Sequence, residues 1–125
     1  MTSESRPLLY LKPPTAEDPL PPSILSRGWD VHVVTHPDAA LELMEEQEFR
    51  VGLVLWDASD AERFATHRQV EFLLNENSHI NWVALLTDVT SSLRQISRII
   101  TTHFYDFHTL PLDPERLLFT LGHAY

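Results

Sequence analysis

A helical pattern leads directly into an apolar, β-rich run in Ala39–Ser59, AALELMEEQEFRVGLVLWDAS. Ala40, Leu43 and Met44 recur at the spacing of one helix face. Val51–Trp56 is an almost unbroken apolar run, as in a strand covered on both faces. A helix followed at once by such a strand is typical of an α/β fold with a parallel sheet.

The same alternation of strand and helix extends along the chain. Five apolar runs predict strands, at Pro7–Leu11, Asp30–Val34, Val51–Trp56, Trp82–Leu86 and Tyr105–Thr109. A helical pattern follows each run from the second to the fifth. The first two helices are marked by start signals, at Thr35, Pro37 and Asp38 and at Ser59 and Glu62. The third is marked by the apolar stripe Leu93, Ile96 and Ile100 within Thr90–His103, and the fourth by Asp113 as N-cap before Pro114, Leu117, Leu118 and Leu121. Because parallel neighbours need crossover helices, this order predicts a five-stranded, mostly parallel sheet with helices on both faces.

The first crossover differs from the others. Lys12–Pro22 contains five prolines, which do not fit inside a helix. We therefore expect a short first helix at Pro22–Arg27, ended by Gly28, and an extended loop before it.

Composition excludes several classes of protein. A chain of 125 residues with 43% hydrophobic residues suits one domain, spanning residues 1–125. It has no cysteine, no apolar run long enough for a membrane span and no signal-peptide pattern, so we expect a cytoplasmic protein. A net charge of −9 opposes direct binding to nucleic acid. None of the three glycines forms a phosphate-binding turn after a strand, and we do not expect an enzyme.

Segments of the chain, in the expected order, resemble the receiver domains of response regulators. The Ala39–Ser59 segment resembles their second helix and third strand, which places the phosphoacceptor role on Asp57. VALLT resembles their fourth strand and places the coupling hydroxyl on Thr87, while YDFHTLPLDPERLLFTLG places the switch aromatic at Phe107. The resemblance implies a flavodoxin-like, CheY-like doubly wound fold. The residues themselves also allow plainer roles, with Asp57 as a turn or cap residue and Trp56 and Phe107 as packing residues.

The phosphorylation site departs from the receiver pattern at two positions. Receivers carry two metal-binding acids after the first strand, whereas this chain has Lys12 followed by two prolines. Receivers carry a lysine before the proline that follows strand five, whereas Leu110 precedes Pro111 here. We therefore expect a degenerate phosphoacceptor pocket with no cofactor and no Mg²⁺, in which Asp57, Asp60 and Asp88 are only weak metal candidates. Lys12 is expected to reach the Asp57 carboxylate and to replace the missing metal, although it could equally point into solvent.

The last 45 residues, NWVALLTDVTSSLRQISRIITTHFYDFHTLPLDPERLLFTLGHAY, resemble the divergent N-terminal domain of Vibrio-polysaccharide-type (VpsR-like) regulators. The features that carry this resemblance are FxDFxTxP, from Phe104 to Pro111, and the ending LxxxLGH, from Leu117 or Leu118 to His123. Members of this family are sigma-54-dependent transcription activators, so the resemblance implies AAA+ ATPase and DNA-binding domains outside this chain. The resemblance to receivers, which commonly pair through helix four, strand five and helix five, implies a homodimer, whose patch we expect to include residues of Thr90–His103 and Glu115–Leu121.

Three functions therefore stay open. The first is a regulatory or dimerisation module that is not phosphorylated, and it fits the altered pocket best. The second is a working receiver that is phosphorylated on Asp57. The third is a sensor of a small molecule, for example a cyclic dinucleotide, bound at the strand ends beneath the proline-rich loop.

Overall fold

The computed structural model describes residues 6–12, 24, 27–56, 67–86, 104–109 and 112–125. Within these residues it contains five strands and three helices. They are β1 (Arg6–Leu11), β2 (Trp29–Val34), α1 (Pro37–Glu46), β3 (Val51–Trp56), α2 (His67–Glu76), β4 (Asn81–Leu86), β5 (Asp106–Thr109) and α3 (Pro114–Ala124). No helix in this part of the chain is long and apolar enough to cross a membrane.

The five strands form one sheet in the order β2-β1-β3-β4-β5, and every neighbouring pair is parallel. Leu8 of β1 lies opposite Val51 of β3, and Val51 lies opposite Asn81 of β4. The parallel sheet and the five predicted strands are confirmed, with strand ends that differ from the predicted ones by at most one residue at each end.

Buried side chains cover both faces of the sheet, because successive residues of a strand point to opposite faces. Leu9 and Leu11 of β1 belong to the cluster on the face that α1 and α2 cover. Leu8 and Tyr10 belong to the opposite cluster, which includes Leu117 and Leu121 of α3. The two clusters explain why the central strands are apolar at nearly every position.

The start of α1 differs from the prediction. Its N-cap is His36, whose Nδ1 accepts a hydrogen bond of 3.1 Å from the backbone N–H of Asp38. The hydroxyl of Thr35 is one residue too early for this role, because a cap must reach the free N–H groups of the first turn. Pro37 occupies the first helical position, as predicted.

The start of α3 confirms the prediction. Asp113 Oδ1 accepts hydrogen bonds from the N–H groups of Glu115, at 3.1 Å, and Arg116, at 3.4 Å. The Ser59–Glu62 start signal and the helical stripe of Thr90–His103 lie outside the described residues. Of the predicted first helix only Ile24 is described as helical, and Gly28 beyond it has the positive φ, 88°, that a glycine ending a helix adopts.

Cation–π contacts hold the end of α3 against the amino-terminal ends of the strands. The Arg6 guanidinium lies 4.2 Å from the centre of the Trp29 ring and 5.8 Å from that of Tyr125. Arg50, just before β3, lies 4.9 Å from the Tyr125 ring. Trp29 and Tyr125 also meet edge to face, so the last residue of the chain is held against its first strand.

The closest packing in the sheet is between Gly52 and Trp82, which lie opposite each other on β3 and β4. The indole of Trp82 is buried, and its Nε1–H donates a hydrogen bond of 3.1 Å to the carbonyl oxygen of Asn77. A Cβ atom on residue 52 would overlap Cε3 and Cζ3 of this ring. Glycine is therefore required at position 52 by the position of the indole.

Replacing Gly52 with alanine should lower the free energy of unfolding by about 1–3 kcal/mol, because the added methyl group overpacks a buried contact that the Nε1 hydrogen bond keeps in place. Urea unfolding of both proteins measures the change. The matched control is Gly122→Ala in α3, where an added Cβ meets no atom within 4 Å and should leave stability unchanged or raise it by up to about 1 kcal/mol. Equal stability of Gly52→Ala and the unmodified chain would contradict this account of the packing.

Candidate functional site

The strand order reverses at β1, between its neighbours β2 and β3. The chain passes from β1 to β2 on one side and then crosses to β3 on the other side of β1. In open parallel sheets, ligands bind outside the strand ends at the point where the order reverses. Lys12 follows β1 and residue 57 follows β3, so the two positions lie at the ends of neighbouring strands.

Lys12 is half-buried at this edge. Its backbone N–H donates a hydrogen bond of 3.0 Å to the carbonyl oxygen of Val34, which extends the β1–β2 ladder by one step beyond the strand. The structure thus fixes the backbone of Lys12, which the sequence predicts to take the place of a metal-binding acid. Its pairing with Asp57 stays a prediction, because Asp57 is outside the described residues.

The other pocket residues predicted from the sequence also lie outside the described part of the chain. These are Thr87, Leu110 and Pro111, together with the weak metal candidates Asp60 and Asp88. Among the residues that the structure describes, no group of three or more His, Asp or Glu side chains could hold a metal ion.

Phe107 is described, and of the two packing roles that the sequence allows, core or half-buried, the structure excludes the core. The side chain is 43% exposed, on a strand that pairs with β4 and lies at the edge of the described sheet. The neighbouring His108 is buried against α3, and alternation along the strand turns Phe107 to the other face. Its role as a switch aromatic stays a prediction.

Histidines in the described part of the chain make local contacts. His32 Nε2 lies 3.1 Å from Asp30 Oδ2 and 3.3 Å from Gln47 Nε2, and its ring meets Phe49 edge to face. His36 caps α1. Both side chains therefore have structural partners of their own.

Sequence reasoning missed a buried polar pair between β5 and α3. His108 and Thr120 are the buried polar residues of the described core, and His108 Nε2 forms a hydrogen bond of 2.9 Å with Thr120 Oγ1. Burial lowers the pKa of His108, since a charged imidazolium loses its hydration there, and the Arg116 guanidinium acts in the same direction. The Asp106 and Asp113 carboxylates oppose this shift without reversing it. The sequence signal for this pair was the position of Thr120, which lies on the same helix face as the apolar residues of α3 and is therefore expected to be buried.

The family described as the VpsR domain matches residues 1–122 of this sequence. No curated protein matches it significantly.

Similar solved structures include receiver domains. The signal receiver domain of an HD domain-containing protein from Pseudomonas fluorescens is 16% identical with a TM-score of 0.67, over 99% of this chain and 89% of that one. The chemotaxis response regulator CheY4 of Vibrio cholerae is 17% identical with a TM-score of 0.65, over 97% and 99% of the two chains. NtrX from Brucella abortus is 16% identical with a TM-score of 0.72, over 96% of this chain but 27% of NtrX. These likenesses establish the flavodoxin-like receiver fold.

The buried His108 predicts a loss of stability in mild acid. Its pKa in the folded chain is lowered, so the unfolded chain binds the proton more readily and protonation favours unfolding. The contribution of neutral His108 to the free energy of unfolding is fully present above the pKa that His108 has in the unfolded chain, about 6.5. It is lost as the pH falls from there toward the lowered pKa of His108 in the folded chain. Urea unfolding between about pH 7.5 and pH 5 should therefore show a weaker pH dependence for His108→Gln than for the unmodified chain.

The matched control is His79→Gln, since His79 is exposed in the turn before β4. It should keep the pH dependence of the unmodified chain. An identical pH dependence of the His108→Gln variant would show that the imidazole is not kept neutral by burial.

Proposed function

The chain belongs to the VpsR domain family, the N-terminal receiver-like domain of VpsR-type activators, and we propose that it is a regulatory and dimerisation module that works without phosphorylation. The observation that carries this proposal is Lys12, which stands at the end of β1, beside the end of β3. A receiver that accepts phosphate needs acids at this place to hold a divalent cation.

The charge of Lys12, which stands where a receiver carries a metal-binding acid, explains why phosphorylation is not expected. Phosphoryl transfer to a carboxylate builds negative charge on the transferred oxygens, and a divalent cation with a nearby lysine neutralises it. Lys12 brings a positive charge to the end of β1 and opposes binding of Mg²⁺, while Leu110 removes the cation expected before Pro111. The domain then acts without a cofactor and without catalysis.

The proposed setting is a cytoplasmic sigma-54-type transcription regulator. An acidic chain with a net charge of −9 is poorly suited to contact DNA, so AAA+ and DNA-binding domains outside this chain would carry the output. The share of NtrX that the chain covers, about a quarter, fits a domain that occurs within longer proteins.

The exposed edge of the sheet supports the proposed dimerisation. Phe107 presents an apolar surface on the edge strand β5, on the face opposite to the one that α3 covers. Aromatic side chains are enriched where protein surfaces meet. A two-fold axis at this edge would pair the same surface on both copies.

Treatment with acetyl phosphate and Mg²⁺ should add no phosphoryl group to the chain, because the pocket lacks its metal-binding acid and its lysine. Intact mass spectrometry measures the result, with a conventional receiver as the positive control. In parallel, Mg²⁺ titrated into the isotope-labelled chain should not shift the amide signals around Asp57. A Mg²⁺-dependent gain of one phosphoryl group that Asp57→Asn abolishes would establish a working receiver instead.

Sedimentation velocity should find the unmodified chain as a dimer and the Phe107→Asp variant as a monomer, because two buried carboxylates would face each other across the axis. The control is the Val33→Asp variant. Val33 is a comparably exposed apolar residue on the opposite edge strand, β2, and this variant should stay dimeric. A monomeric unmodified chain at high concentration, or equal behaviour of both variants, would contradict the proposed edge.

A further inference from the structure

A groove lies between the first turn of α1 and the second half of α2, with a cavity volume of about 400 Å³. Pro37 and Leu73 are buried and form its floor. Leu41, 41% exposed, and Phe72, 63% exposed, also line it. A phenylalanine as exposed as this one, beside a concave apolar surface, is characteristic of a binding site.

The charged groups of the groove are acidic. Asp38 of α1 and Glu76 of α2 line it together with His36, and no lysine or arginine is among the described side chains that line it. Two further acidic residues, Glu42 and Glu45, lie on the exposed surface of α1 and add to this negative charge. An apolar floor between acidic flanks is complementary to a partner that is apolar along one face and cationic beside it.

We propose that this groove binds a basic amphipathic helix of a partner protein. Such a helix carries apolar side chains three and four residues apart, which would fill the space between Leu41 and Phe72. Lysine or arginine side chains on its flanks would reach Asp38 and Glu76. The net charge of −9 would steer a cationic partner toward the domain.

A second copy of this chain fits the groove poorly. The copy carries the same excess of acids, eighteen Asp and Glu against nine Lys and Arg, and would bring like charge against an acidic flank. The groove is also separate from the β5 edge proposed for the dimer. The two surfaces can therefore be tested independently.

A peptide of about 14 residues, with leucine on one helix face and lysine on the other, is a suitable probe. When it is titrated into the isotope-labelled chain, the amide signals of α1 and α2 around Leu41 and Phe72 should shift. Phe72→Asp should weaken the affinity at least about tenfold, since it removes the largest apolar wall. The matched control is Phe119→Asp, which changes a 69% exposed phenylalanine on α3, outside the groove, and should keep the affinity.

Charge provides a second test, on a fully exposed position. Glu76→Lys should weaken binding more than Glu46→Lys, which makes the same charge change on α1 outside the groove lining. A peptide with glutamate in place of lysine should not bind. Absence of binding, shifts centred elsewhere, equal losses from the matched variants, or equal affinity of the glutamate peptide would each overturn the proposal.

Discussion

The indole of Trp82 lies on Gly52 in the middle of the sheet, and the register of the neighbouring strands β3 and β4 places this large ring opposite a residue that has no side chain. The hydrogen bond from Nε1 to the Asn77 carbonyl prevents the ring from turning aside, and it ties the loop after α2 to the start of β4. The same ring belongs to the cluster under α1 and α2. One large side chain thus links the strand pairing, the end of a helix and the packing of one sheet face, and the groove between the two helices rests on that face.

The elements that the sequence predicted well are those that a local pattern determines. Val51–Trp56 is recognisable because an apolar run of strand length needs no knowledge of its neighbours. His36 was missed as a cap because imidazole is an uncommon cap residue beside a threonine. The burial of His108 depends on Thr120, twelve residues later, and the exposure of Phe107 depends on β5 being an edge strand. The sequence predicts the position of Lys12 at the end of β1, because strand ends follow from the apolar runs and the sheet order. It does not predict the surroundings of the Lys12 side chain, because these depend on residues that are distant in the sequence.

The proposed function without phosphorylation leaves binding of a partner as the means of control. A phosphoryl group changes a conformational equilibrium through the charge it adds, and a partner does so only through a difference in its affinity for two states. Lys12 at the carboxyl edge of the sheet and the acidic groove between α1 and α2 have opposite charges, on different parts of the surface. The fold can in this way keep the architecture of a phosphorylated regulator while its inputs become protein contacts.

The contact of Tyr125 with Arg6 has a consequence for how the protein is made. Leu117, Leu121 and Ala124 complete the core on one face of the sheet, and Tyr125 closes onto the first strand. During synthesis on the ribosome, the part of that face covered by α3 stays uncovered until residues 114–125 have left the exit tunnel. The nascent chain exposes this apolar surface while residues 1–113 are being made, the situation in which chaperones bind. Folding of this domain is therefore completed only after the synthesis of its last helix.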